Sequence, residues 1–152
     1  MSRAAVALAV TLLTAATACT GGGDTGATTP GPDQFALTGD DPSIVVHTLT
    51  YGADMKVGGT VRYQAEGRCL TVSTTRDGKE SVATPIWPAG TRPVQDGGRR
   101  GVDVPGFGRV MDGDTVDAGG DEWPAEDDRL GDVRLCPPGG KAMVFNAGSF
   151  RR

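Results

Sequence analysis

The 152-residue sequence is poor in the side chains from which most enzyme sites are built. It holds one histidine, His47, and three cysteines, Cys19, Cys69 and Cys136. A single histidine excludes a zinc site built on paired histidines. Without a Gly-x-Ser-x-Gly segment, a Ser/His/Asp hydrolase has no support either. No Gly-Lys-Ser or Gly-Lys-Thr closes a glycine-rich loop, so the phosphate cradle of a nucleotide-binding protein is missing. Basic residues are outnumbered, 15 against 19 acidic, for a net charge of −4. That balance argues against nucleic acid, which calls for a basic footprint. No stretch keeps a 3.6-residue apolar period, so no amphipathic helix is expected. The longest apolar run, Ala4 to Ala18, is too short to span a bilayer comfortably.

That run carries an address. Met1-Ser2-Arg3 is a short basic start, Val6, Leu8, Val10, Leu12 and Leu13 supply the hydrophobicity, and Ala15-Ala16-Thr17-Ala18 leads with small residues into Cys19. The order reads as a cleaved export signal over residues 1–18. It resembles the bacterial lipobox, with Ala16 where leucine is usual. The resemblance implies that the Cys19 thiol receives a diacylglycerol group and joins further acylation of the palmitate type. The chain would then be anchored by lipid at the outer face of the cytoplasmic membrane. Residues 19–42 follow, with Gly21-Gly22-Gly23, several threonines, Pro30, Pro32 and Pro42, and only Phe35 and Leu37 as sizeable apolar residues. They read as a disordered tether with a reach on the order of 25 Å.

Residues 43–152 read as one small domain made of strands. Ile44 to Tyr51 is β-branched and aromatic, and Thr60 to Ala65 alternates with Val61, Tyr63 and Ala65 on one face. Arg68 to Thr74 and Glu80 to Trp87 flank an Asp77-Gly78 hairpin signal, with Pro85 demoting the second strand toward an edge or bulge. Pro88 to Arg100 reads as a polar loop. Short strands follow at Gly101–Val104, Arg109–Met111, Thr115–Asp117, Asp132–Cys136 and Lys141–Phe145, with a helical turn at Glu122–Arg129 opened by Pro124. The expected fold is all-β, a small Greek-key barrel or a sandwich, with the barrel preferred because glycines sit beside strands where sharp bends are needed.

The segments Cys69-Leu70-Thr71-Val72, Pro85-Ile86-Trp87-Pro88-Ala89-Gly90, Gly106-Phe107-Gly108-Arg109-Val110, Gly113-Asp114-Thr115-Val116, Gly119-Gly120 and Cys136 form a pattern. It is similar to that of small actinobacterial lipoproteins and secreted proteins of unknown function. The shared features are turns, bends and a cysteine pair, so the resemblance implies a fold and no activity.

Outside the membrane, Cys69 and Cys136 are most simply a disulfide, and the alternative of a metal or redox pair lacks Cys-x-x-Cys spacing. The acidic run from Asp112 to Asp132 offers Asp112, Asp114 and Asp117 as calcium ligands, although Asp112-Gly113-Asp114 does not fit an EF-hand loop. Read as a solvated face, the same run needs no metal. Trp87 and Trp123, each followed by proline, could stack on sugar rings or fill the core. Arg92, Arg99 and Arg100 make a small basic loop that acidic wall polymers could meet. The expectation is a non-catalytic binding or accessory module whose partner is an envelope protein or wall polymer. A calcium-stabilised domain is one alternative. A wall-acting enzyme with a carboxylate pair drawn from Asp103, Asp112, Asp114 or Asp117 is the other.

Overall fold

The computed structural model describes residues 35–50 and 52–152. The signal, Cys19 and most of the tether lie outside them. Among the described residues ten strands are formed in chain order: β1 Phe35–Thr38, β2 Ile44–His47, β3 Met55–Gln64, β4 Cys69–Arg76, β5 Lys79–Pro88, β6 Arg92–Asp96, β7 Arg99–Val104, β8 Gly108–Met111, β9 Thr115–Trp123 and β10 Lys141–Phe145. The only helical turn among the described residues is Asp128–Leu130, capped by the Asp127 side chain.

Five strands close a barrel. β3, β4 and β5 form an antiparallel meander, β9 pairs with β3, β10 pairs with β9, and β10 runs parallel to β5. A meander closed by a hairpin whose last strand runs parallel to the meander's third is the connectivity of the OB-type Greek-key barrel. The fold class is thus the expected all-β barrel, with its single disulfide joining Cys69 to Cys136.

β3 belongs to two neighbours. Its first half, Met55–Thr60, pairs with β9, and its second, Thr60–Gln64, pairs with β4. Gly58 and Gly59 sit at the handover. A Cβ on Gly58 would stand 2.1 Å from the Val116 carbonyl oxygen, and one on Gly59 2.4 Å from that of Ser73. The glycines therefore let β3 lie close to both partners while it curls.

β5 is also shared. β4 follows it as far as the Val72–Ala83 pair, and β2 takes over in parallel from Val45–Ile86. Thr84 and Pro85 fall in the gap. Pro85 therefore sits in a central strand rather than an edge, where neither β4 nor β2 is in register with it, and only β10 faces it through Met143. β2, β5 and β10 are covered on both faces, as parallel strands usually are, and this explains the unbroken apolar runs Ile44-Val45-Val46 and Ala142-Met143-Val144-Phe145. Val46, Trp87, Met143 and Phe145 point into the main core with Val57, Val61, Leu70, Val72 and Val116. Val45, Ile86, Ala142 and Val144 face a second cluster with Trp123, Leu130 and Leu135.

Other readings change as well. β9 runs to Trp123, so the helical turn expected at Glu122–Arg129 is confined to Asp128–Leu130. The tether does not extend to Pro42: Phe35–Thr38 is a strand on β2, because Phe35 packs edge-on to Trp123 at 6.0 Å and Ala36 reaches the main core. The polar loop from Pro88 to Arg100 contains a hairpin, β6–β7, turned by Gly97-Gly98, which with β8 makes a separate three-stranded sheet. Asp132–Cys136 is not a strand but part of the long β9–β10 connection, which lies over the second cluster through Leu130 and Leu135.

Candidate functional site

The disulfide sits where β2 and β4 part. Ser43 bridges Cys69, the Ser43 N–H donates to the Arg68 carbonyl at 2.6 Å, and Cys136 brings the β9–β10 connection to the same point. Thr84, in the gap of β5, fixes that connection twice. Its hydroxyl donates to the Cys136 carbonyl at 2.9 Å and accepts from the Cys136 N–H at 2.7 Å.

Between these parts opens a cleft of about 730 Å³. Ile44, Leu70, Trp87 and Leu135 are among its apolar walls, Cys69 and Cys136 are part of its lining, and Leu37 stands at its rim, 67% exposed. Among the described residues Arg134 is the only charged one in the lining. It is exposed and has no hydrogen bond or ion pair among the described residues. A shallower groove continues past Leu37 and Val133 along β1 toward Arg129 and Asp132. The size lies within the range of small-molecule sites.

Trp87 is wholly buried, tilted against Phe145 with centroids 5.0 Å apart and stacked on Phe150 at 6.2 Å. It also lines the cleft, and its indole nitrogen has no hydrogen-bond partner among the described residues. Trp123 is 4% exposed, donates its N–H to Asp121 at 2.7 Å, and is covered by the Arg129 guanidinium 3.8 Å from the ring centroid. Neither ring presents an open face to a sugar, so both stacking readings are corrected to packing roles.

The proposed calcium ligands are engaged elsewhere. Asp112 accepts from the Tyr63 N–H at 3.1 Å, and Asp114 accepts from the Met111 N–H at 2.9 Å and pairs with Arg99 at 2.6 Å. Asp117 pairs with Lys56 at 2.8 Å. Among the described residues no three His, Cys, Asp or Glu side chains are grouped to hold a metal ion. The reason is local: each aspartate serves the turn or strand in which it sits. The titration picture agrees. The Met111 N–H and then the Arg99 guanidinium hold Asp114 below the usual carboxylate range, and Arg129 lowers Asp127 to about 2. The basic loop is engaged as well, since Arg99 and Arg100 are tied to Asp114 and Asp41.

Asp41 was legible only as tether. Its carboxylate accepts from the Tyr63 hydroxyl at 2.6 Å and from Arg100 at 3.1 Å, while Arg100 lies 5.2 Å from the Tyr63 ring centroid. Gln95 of β6 donates to the Asp41 carbonyl. The cluster clasps the β1–β2 turn, the barrel and the small sheet together. The Tyr63 hydrogen bond, and then Arg100, push Asp41 below its ordinary value.

No family model, curated protein or solved structure matches the chain.

Proposed function

We propose that this chain is a lipid-anchored, extracytoplasmic binding or accessory module of the cell envelope, held at the outer face of the cytoplasmic membrane through Cys19 and acting without catalysis of its own. The observation that supports binding is the apolar cleft walled by the disulfide, bounded by the β3–β4 turn at Gly67 and the β9–β10 connection from Ala125 to Gly139. OB-type barrels take ligands between the corresponding loops. The fold alone fixes no ligand. Among the carboxylates weighed for an acid–base pair, Asp114 is held below the usual carboxylate range by the Met111 N–H and then Arg99, away from the raised value that a general acid working near neutral pH requires.

The test is metabolic labelling of cells with an alkyne analogue of palmitate. The wild-type chain is expected to carry the label and to sediment with membranes, and Cys19→Ser to do neither. A wild-type chain that is unlabelled and released into the medium overturns the anchor.

A further inference from the structure

We propose that one edge of β9 and the aromatic end of the barrel form a peptide-docking groove. Its outside ligand is an extended segment with a phenylalanine and, two positions later, an arginine. The chain's own residues 149–152 occupy the groove in the structure. The inference goes beyond the anchor and the cleft and requires neither.

The groove begins where β10 ends. β3 pairs with one edge of β9 from Thr115 to Gly120, whereas β10 pairs with the other edge only from Gly120 to Trp123. Among the described residues, no strand follows that second edge from Thr115 to Gly119. After an exposed turn at Ala147-Gly148 the chain comes back to it. Arg151 bridges Asp117 in the antiparallel sense, its N–H donating to the Asp117 carbonyl at 2.9 Å, and the Ser149 hydroxyl donates to the Gly119 carbonyl at 3.0 Å. A Cβ on Gly119 would stand 3.2 Å from that of Ser149, so the glycine lets a second backbone lie close.

The side chains then alternate as in an added strand. Phe150 packs against the main core, its ring centroid 5.3 Å from that of Phe145, 5.4 Å from Phe107 and 6.2 Å from Trp87. Arg151 is exposed. The Arg152 guanidinium donates to the Phe107 carbonyl at 2.9 Å and lies 5.5 Å from the Phe107 ring centroid. Main-chain bonds to a strand edge, with pockets for alternate side chains, are the means by which sheets take extended peptides. The ligand class follows from the segment seated there: an aromatic ring against Trp87, Phe107 and Phe145, then a guanidinium on Phe107. The chain's net charge of −4 favours a cationic segment over an acidic one.

The occupant is exchangeable because it is lightly held. Residues 149–152 rely on one bridge, one hydroxyl, one partly buried ring and one arginine, against the continuous ladders that β9 makes with β3 and β10. Such a segment opens locally at a lower cost than global unfolding. It competes with an outside peptide at an effective concentration on the order of millimolar.

The experiment uses the full chain carrying Cys19→Ser and the peptide Asn-Ala-Gly-Ser-Phe-Arg-Arg, the sequence of residues 146–152. Amide exchange is followed by NMR. The Arg151 N–H should exchange at least about a hundredfold faster than the β9–β10 ladder. Peptide at about 10 mM should remove most of its remaining protection and leave the ladder unchanged. Phe150→Ala, which empties the aromatic pocket, should bind the dye-labelled peptide one to one, about tenfold more tightly than the chain with Phe150 in place. Peptides with alanine for the phenylalanine, or glutamate for the last arginine, should bind Phe150→Ala about tenfold and about threefold more weakly.

Arg151 exchanging at the rate of the ladder makes the segment part of the global core and overturns the proposal, whether or not Phe150→Ala folds. Protection at Arg151 that the peptide does not reduce also overturns it, as does equal binding of the three peptides. A concentration-dependent dimer that the peptide dissociates assigns the groove to a second copy and overturns the outside ligand. Should Phe150→Ala fail to fold, the two exchange readings on the parent chain decide.

Discussion

His47 is 3% exposed, and its ring is used in full. Nε2 donates to the Phe145 carbonyl at 2.8 Å, and Nδ1 accepts from the Leu49 N–H at 3.1 Å. That pattern selects the neutral ring with its proton on Nε2. A second proton would point Nδ1–H at the Leu49 N–H. Burial therefore lowers the His47 pKa from its ordinary value, partly opposed by the bond to Phe145. A depressed histidine leaves the unfolded chain binding more protons below about pH 6.5, so its contribution is complete above that value and is lost as pH falls toward the folded pKa. Denaturant melts from about pH 7.5 down to pH 5.5 should show stability declining below about 6.5. His47→Leu should flatten that limb and cost about 1–3 kcal/mol, since it leaves the Leu49 N–H and the Phe145 carbonyl without partners. An unchanged slope in the variant would remove His47 as the cause. A second limb, below about pH 4, belongs to Asp41, Asp114 and Asp127. Asp127→Asn should reduce only this lower limb. The Asp127 contribution is present above its unfolded pKa and is lost as pH falls through about 2.

At the scale of the element, β3 carries the most demanding geometry. Its two glycines face carbonyl oxygens of two different strands. Gly59→Val should destabilise the fold by about 2–4 kcal/mol, because a side chain there pushes β4 away. A surface control such as Gly78→Ala, in the β4–β5 turn with open space around its Cβ direction but a φ of +73°, should cost less, about 1 kcal/mol. Equal losses would show that close approach is not what β3 requires. Alternation made β3 and β7 legible in the sequence, since each has one more buried face, whereas β4 opens with four consecutive buried residues, Cys69 to Val72, and was legible from its β-branched composition and the Asp77-Gly78 turn that follows. Elements whose cause is non-local were not legible. β6 is polar and half exposed, so Arg92 to Asp96 carries no apolar signature, and its reason for being a strand is β7 across the Gly97-Gly98 turn. β1 lies in a stretch of tether composition and is held by β2 and by Trp123, a residue almost ninety positions away. β9 continues through Gly119-Gly120, beyond the short strand Thr115–Asp117 that the sequence suggests. A Cβ on Gly120 would meet the Val144 carbonyl at 2.1 Å, so the glycine marks close strand contact. The candidate cleft was legible only in its cysteines. Its walls come from β2, β4, β5 and a coil, and no spacing rule relates them.

For the molecule as a whole, the Cys69–Cys136 bond decides how the long β9–β10 connection is held. That connection has three attachments: the disulfide, the paired hydrogen bonds of Thr84, and the burial of Leu130 and Leu135 in the second cluster. The barrel strands on either side of it are held by continuous ladders and do not depend on the bond. A cross-link spanning 67 positions lowers the entropy of the unfolded chain by an amount worth about 4 kcal/mol. For a domain of this size that corresponds to a fall in Tm on the order of 15 °C in Cys69→Ser/Cys136→Ser. The loss should not be uniform. Hydrogen exchange in the double variant should rise first from Ala125 to Gly140 and at Ser43, while β3, β4 and β9 remain protected to the global limit. A melt lowered by only a few degrees, with exchange unchanged along the connection, would mean that Thr84 and the two leucines hold the wall unaided. The cleft would then be a fixed feature of the barrel rather than one shaped by the disulfide.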